Sequence, residues 1–199
     1  MADDCFTRVD AAFDLTTRVR LVCADMVARL PELSHIDLQR VAISFSRARS
    51  RGRFGLYASL TPLRFAGGER TQQRRGRTFT VQRVVDGSGR EMLYILRLCV
   101  PRFLDLPFHE KLVTILHELW HIGPAFDGDI RRHAGRCFAH THSQRQYDAE
   151  MSKLADRWLA TRPDESLVAF LRLNFEALIR SHGRIIGTKL PRPKLVPMD

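Results

Sequence analysis

The sequence predicts an α+β fold in a single domain: an N-terminal helix, a small and mostly antiparallel sheet, then helices nearly to the C-terminus. Three observations carry that expectation. Residues 12–30 place Leu15, Val19, Val22 and Met26 at helical spacing. Residues 41–100 are rich in β-branched and aromatic residues, cut by glycine and proline turns. After Pro107 the helical period returns and persists, with interruptions, as far as Ser181.

Each element has its own signal. Asp14 is placed to cap the first helix, and Pro31 ends it. Val41–Phe45 alternates apolar with small or polar residues, the pattern of a half-buried strand. Ser46–Arg53 then makes a basic turn into a second strand over Gly55–Leu60, and Pro62 with Gly67-Gly68 breaks the chain after it. Thr71–Arg77 is expected as a basic surface loop. Phe79–Val85 and Arg90–Val100 are two strands joined by a hairpin turn at Asp86–Gly89, and the apolar second arm belongs inside the sheet. Pro107 suits the start of a helix whose core stripe is Leu112, Ile115, Leu116 and Leu119. Gly123–Ser143 is irregular. Gln144–Ala160 and Glu165–Ser181 are expected as helices split at Arg162-Pro163-Asp164. The domain spans 1–186, and 187–199 is expected to be an extended, Pro-rich, basic tail.

Composition limits the function classes. Of 199 residues 44% are hydrophobic and 27% charged, which excludes a collagen, a disordered chain and a disulfide-dense miniprotein. No run approaches the roughly 18 apolar residues of a membrane helix, and the acidic start does not resemble a signal peptide, so a cytoplasmic protein without a membrane partner is expected. Cys5, Cys23, Cys99 and Cys137 are scattered with no C-x-x-C pair, so neither a disulfide framework nor a zinc ribbon is legible. The net charge is +10, and 28 of the 32 basic residues are Arg. The plain reading of that excess is codon bias in a GC-rich genome. The functional reading is a polyanion partner, DNA or RNA, met by the Arg-rich loops Arg47–Arg53 and Arg74–Arg77.

The chemistry lies at His117-Glu118-Leu119-Trp120-His121, an H-E-x-x-H on the most periodic helix. At this composition chance alone produces the pattern in about one chain in eighty. Positions i and i+4 lie one turn apart on one face, so both imidazoles reach one metal ion. Zinc suits them, since it activates a water near neutral pH and polarises a carbonyl. Glu118, on the neighbouring edge of that face, is placed as general base and then general acid.

A third ligand is required, and the residues leave it open among His133, His140, Asp127 and Glu150. Arg131, Arg132 and Tyr147 are candidates for stabilising an oxyanion, and Asp148 for orienting a ligand imidazole.

The H-E-x-x-H, the Ile122 after it, Phe126-x-Gly128 and Arg131-x-His133 together resemble the phage-type metallopeptidases, which are similar to the SprT-like zinc proteases. The resemblance covers about residues 91–160. It implies a zincin-like fold with an active-site helix, a bound Zn2+, hydrolysis of a protein or peptide substrate, and His133 as third ligand beside His117 and His121. The alternative is a non-catalytic nucleic-acid-binding or regulatory protein on a degenerate zincin fold.

Overall fold

The computed structural model describes residues 12–48, 55–132 and 144–198, with side chains from 148 onward in the last segment. The chain runs β1 (Phe13–Asp14), α1 (Leu15–Arg29), β2 (Val41–Arg47), β3 (Ala58–Pro62), β4 (Thr71–Arg74), β5 (Arg77–Val81) and β6 (Tyr94–Val100). Then come α2 (Phe108–Trp120), α3 (Gln144–Ala160), α4 (Glu165–Val168), α5 (Phe175–His182), β7 (Ile185–Ile186) and β8 (Leu195–Met198). The fold is α+β, as expected. No helix among the described residues is long and apolar enough to cross a membrane.

Local chemistry explains the helix ends. Asp14 caps α1, its carboxylate accepting the Thr17 N–H at 3.0 Å. The helix ends at Arg29, and Pro31 opens a 3-10 turn.

The main sheet has the order β2-β6-β3, with β2 parallel and β3 antiparallel to β6. It is therefore a mixed sheet rather than a mostly antiparallel one. The expected turn at Asp86–Gly89 does form, with Asp86 N–H on the Arg90 carbonyl at 3.0 Å and Gly89 at φ +84°. Its arms part beyond the Val85–Glu91 bridge. Apolar β6 takes the centre of the main sheet, while Thr-rich β5 joins β4 and β8 in a second, antiparallel sheet.

One face of the main sheet carries the large core. Ile43 and Phe45 of β2, with Tyr94, Leu96 and Leu98 of β6, pack there against α1, α2 and α3. Ala42 and Ile95 point the other way into a small cluster with Leu63 and Met92, lined by Val81, Val84 and Leu190. With both faces covered, β2 is buried from Val41 to Phe45 instead of alternating.

Three further expectations need correction. Thr71–Arg77 is a hairpin, not a loop: β4 and β5 are joined by Arg75-Gly76, both at positive φ (50° and 74°), as a two-residue turn between twisted strands requires. The residues beyond 186 are extended but are no free tail. Arg97 and Ser44, polar and buried on the outer face of the sheet, need partners. Leu190 N–H donates to Ser44 Oγ at 3.0 Å, Arg97 donates to the Leu190 and Pro191 carbonyls at 2.9 and 3.1 Å, and β8 pairs with β5.

Lastly, Glu165–Ser181 is not one helix. Lys111 of α2 is 1% exposed and donates to the Leu171 and Leu173 carbonyls at 2.8 and 2.7 Å. Those carbonyls leave the helical ladder, and Asn174 restarts it by capping α5 through the Ala177 N–H at 2.8 Å. Burial pushes the Lys111 ammonium down to about 8. Replacing it with methionine leaves two buried carbonyls without a donor. Lys111→Met is expected to cost roughly 1–3 kcal/mol, read as a lower urea midpoint; an unchanged midpoint refutes the role given to Lys111.

Candidate metal centre

Leu112, Ile115, Leu116 and Leu119 of α2 are fully buried, which turns the flank bearing His117 and His121 out of the core. Both histidines are half-buried at the helix C-terminus. Their Nε2 atoms lie 3.1 Å apart, with ring centroids 4.7 Å apart and planes at 83°. Two nitrogens bound to one tetrahedral zinc at 2.0–2.1 Å stand about 3.3 Å from each other, so the pair has the spacing and donor chemistry of two zinc ligands.

Glu118 is 7% exposed and lies against β3, where the Leu60 backbone N–H donates to its carboxylate. Burial pushes this carboxyl up to about 7, and the Leu60 bond opposes only part of that shift. Proton acceptance and donation near neutral pH are both within its range.

After His121 the chain doubles back. Ile122 and Ile130 form an antiparallel bridge, and the Arg131 N–H donates to the His121 carbonyl at 2.7 Å. The intervening loop is held from beneath by Tyr94, a residue of the central strand. Its hydroxyl donates to the Asp129 carbonyl and accepts the Gly128 N–H, each at 2.9 Å. Gly128 has φ +94°, and a Cβ there would lie 2.5 Å from Arg64 Cγ, so glycine is required. The Asp129 carboxylate accepts N–H groups of Gly67 and Ile130 at 2.9 and 2.8 Å and the guanidinium fork of Arg132 at 2.8 and 2.9 Å. Burial pushes the Asp129 carboxyl up, but these bonds outweigh it and hold it below the ordinary Asp range.

The structure thus brings His117, Glu118 and His121 together. His133, His140 and Tyr147's side chain lie outside the described residues, as do Cys5, Cys137 and the loop from 49 to 54. Among the described residues no third His, Cys, Asp or Glu completes a metal-holding group with the pair. Asp127 instead packs on Gly68 and accepts the Asp129 N–H at 3.0 Å, and Glu150 lies exposed on α3 beside Trp120 and Glu32. Arg131 stacks on Trp120, 4.3 Å from the ring centroid, and donates to its carbonyl, while Arg132 holds Asp129. Asp148 is exposed on α3.

Sequence reasoning missed Tyr94, Asp129, the Leu60 N–H and His35. The His35 Nε2 lies 3.4 Å from the Ile122 carbonyl, and burial lowers its pKa. An acid-glycine-acid run at Asp127–Asp129 signals a tight turn, but nothing in the pattern of β6 marks Tyr94 as its anchor. No protein-family model, curated protein or solved structure matches the chain.

The loop anchor is open to two tests. Tyr94→Phe removes a buried donor and acceptor together and is expected to cost roughly 1–3 kcal/mol of stability, measured by urea unfolding; equal midpoints would show the hydroxyl to be idle. The contribution of Asp129 is fully present above the ordinary carboxylate range and is lost as the pH falls through its lowered pKa. Asp129→Asn is therefore expected to flatten the acid limb of a stability-against-pH profile, and a limb as steep as in wild type contradicts this.

Proposed function

We propose that the chain is a zinc-dependent metallopeptidase on a zincin-like fold, related to the phage-type and SprT-like enzymes that its motif resembles, and acting on a protein or peptide substrate in the cytoplasm. The observation that carries this reading is the 3.1 Å approach of the His117 and His121 Nε2 atoms with Glu118 buried beside them. His133 is the third ligand in this reading. Its support is the resemblance of the motif, together with the return of the described chain to His121 at Arg131, whose N–H donates to the His121 carbonyl. A bound zinc ion supplies Lewis acidity, polarising the scissile carbonyl and lowering the pKa of water.

The remaining chemistry belongs to the chain. Glu118 takes the proton of the attacking water and delivers it to the leaving amine. Among the described residues β3 has no strand partner on the side away from β6. An extended peptide laid along that edge gains main-chain hydrogen bonds and passes Glu118. As Glu118 turns to the water, it releases the Leu60 N–H to the peptide.

Elemental analysis tests the centre. About one zinc per chain is expected in wild type, with loss in His117→Ala and in His133→Ala. Zinc kept in His133→Ala moves the third ligand elsewhere, and none in reconstituted wild type overturns the reading. Glu118→Gln is expected to keep zinc while hydrolysis of an unfolded protein substrate falls by about 10²–10⁴-fold; full activity removes Glu118 from its role.

A second reading has its own observation. The β4–β5 hairpin sets Arg74, Arg75 and Arg77 around an open hollow with Phe79 and Leu195. An arginine-rich hairpin end is complementary to the phosphates of DNA, and in that reading the histidine pair is structural. Alanine at all three arginines is expected to weaken duplex DNA binding and to lower the salt slope by up to about 0.9 per lost phosphate contact. Unchanged binding excludes the hairpin as a DNA contact.

A further inference from the structure

A cavity of about 430 Å³ opens where the C-terminal ends of the parallel strands β2 and β6 meet α5. It shares no lining residue with the histidine centre. Its inner wall is apolar, with Phe45 from β2 and Phe175 and Ile179 from α5, and its mouth carries Arg47, Arg184 and Lys189. Phe45 is buried, whereas the three cations are exposed. No lining residue is acidic, and among the described residues none of the three cations has a carboxylate partner. The Lys189 ammonium instead stands 5.2 Å over the Phe45 ring.

The size and lining are those of a small-ligand site, with an apolar body and few polar groups. Three neighbouring cations repel one another, and this cost is relieved by a ligand carrying more than one negative charge. Arginine forks match phosphate oxygens, and aromatic faces hold a flat ring. A single carboxylate on an aliphatic tail uses neither the aromatic walls nor the surplus of positive charge.

We propose that this cavity is a nucleoside-phosphate site, separate from the histidine centre and independent of the reading given to it. The base lies against Phe175, and the phosphates meet Arg47, Arg184 and Lys189. The lining has no side-chain amide, hydroxyl or carboxylate, so the site takes nucleoside diphosphates without choosing between bases.

The test is isothermal titration calorimetry of the full chain at low salt, with EDTA present so that no metal mediates binding. ADP and GDP are expected to bind saturably, one per chain and with similar affinity, with AMP weaker and adenosine weakest. Arg184→Ala with Lys189→Ala is expected to weaken ADP binding by about tenfold or more, and so is Phe175→Ala. Thermal melts check that each variant is folded; the two cations are exposed, so the double variant keeps the wild-type melt even where Phe175→Ala does not. His117→Ala is expected to bind ADP as wild type does. Pyrophosphate binding as tightly as ADP overturns the aromatic half of the proposal. Dodecanoate binding in place of ADP overturns the ligand class. No saturable binding, or full affinity in the double variant, overturns the site.

Discussion

The burial of one stripe of α2 governs the rest of the molecule. Leu112, Ile115, Leu116 and Leu119 are wholly withdrawn from water, each contributing roughly 1.5–3 kcal/mol. That stripe sets the rotation of the helix about its own axis. A turn by one residue, about 100°, would bury an imidazole while exposing a leucine. With the stripe seated, His117 and His121 emerge on the flank, and Glu118 is pressed against β3. The same helix brings Lys111 under the α4–α5 junction, so its seating also decides where the C-terminal helices break.

Polar groups carry the second level of order. Tyr94 and Asp129 are buried, and each is bonded to the loop after His121. The loop returns to the His121 carbonyl because its inner backbone groups have partners there and Phe126 packs on the Tyr94 ring. Arg97 and Ser44 do the same for the C-terminal segment on the opposite face of the sheet. In both places a buried polar side chain on a strand dictates the path of a segment distant in sequence, since leaving it unpaired is costly.

The parts legible in the sequence are those whose signals are local. The capping Asp14, the stripe and H-E-x-x-H of α2, the central placement of β6 and the bounds of α3 all rest on residues within one or two turns of each other. The misread parts have equally clear local patterns that are overruled at a distance. Residues 165–181 have helical spacing, but Lys111, far away in sequence, takes two of their carbonyls. Thr71–Arg77 is basic and polar enough for a loop, yet its second strand finds a further partner in β8. The turn at Asp86–Gly89 forms, but its arms belong to different sheets.

By itself, then, the sequence determined the α+β class, the core stripe of α2 and the pairing of two imidazoles one turn apart, because a helical period and an i, i+4 spacing are properties of a short stretch of backbone. Only the tertiary structure decided that β2 and β6 run parallel, that Glu118 is buried against Leu60, that the chain is back at His121 by Arg131, and that Arg47, Arg184 and Lys189 ring one apolar cavity. These depend on which distant surfaces exclude water together and which buried polar groups satisfy one another, and no window of neighbouring residues contains that information.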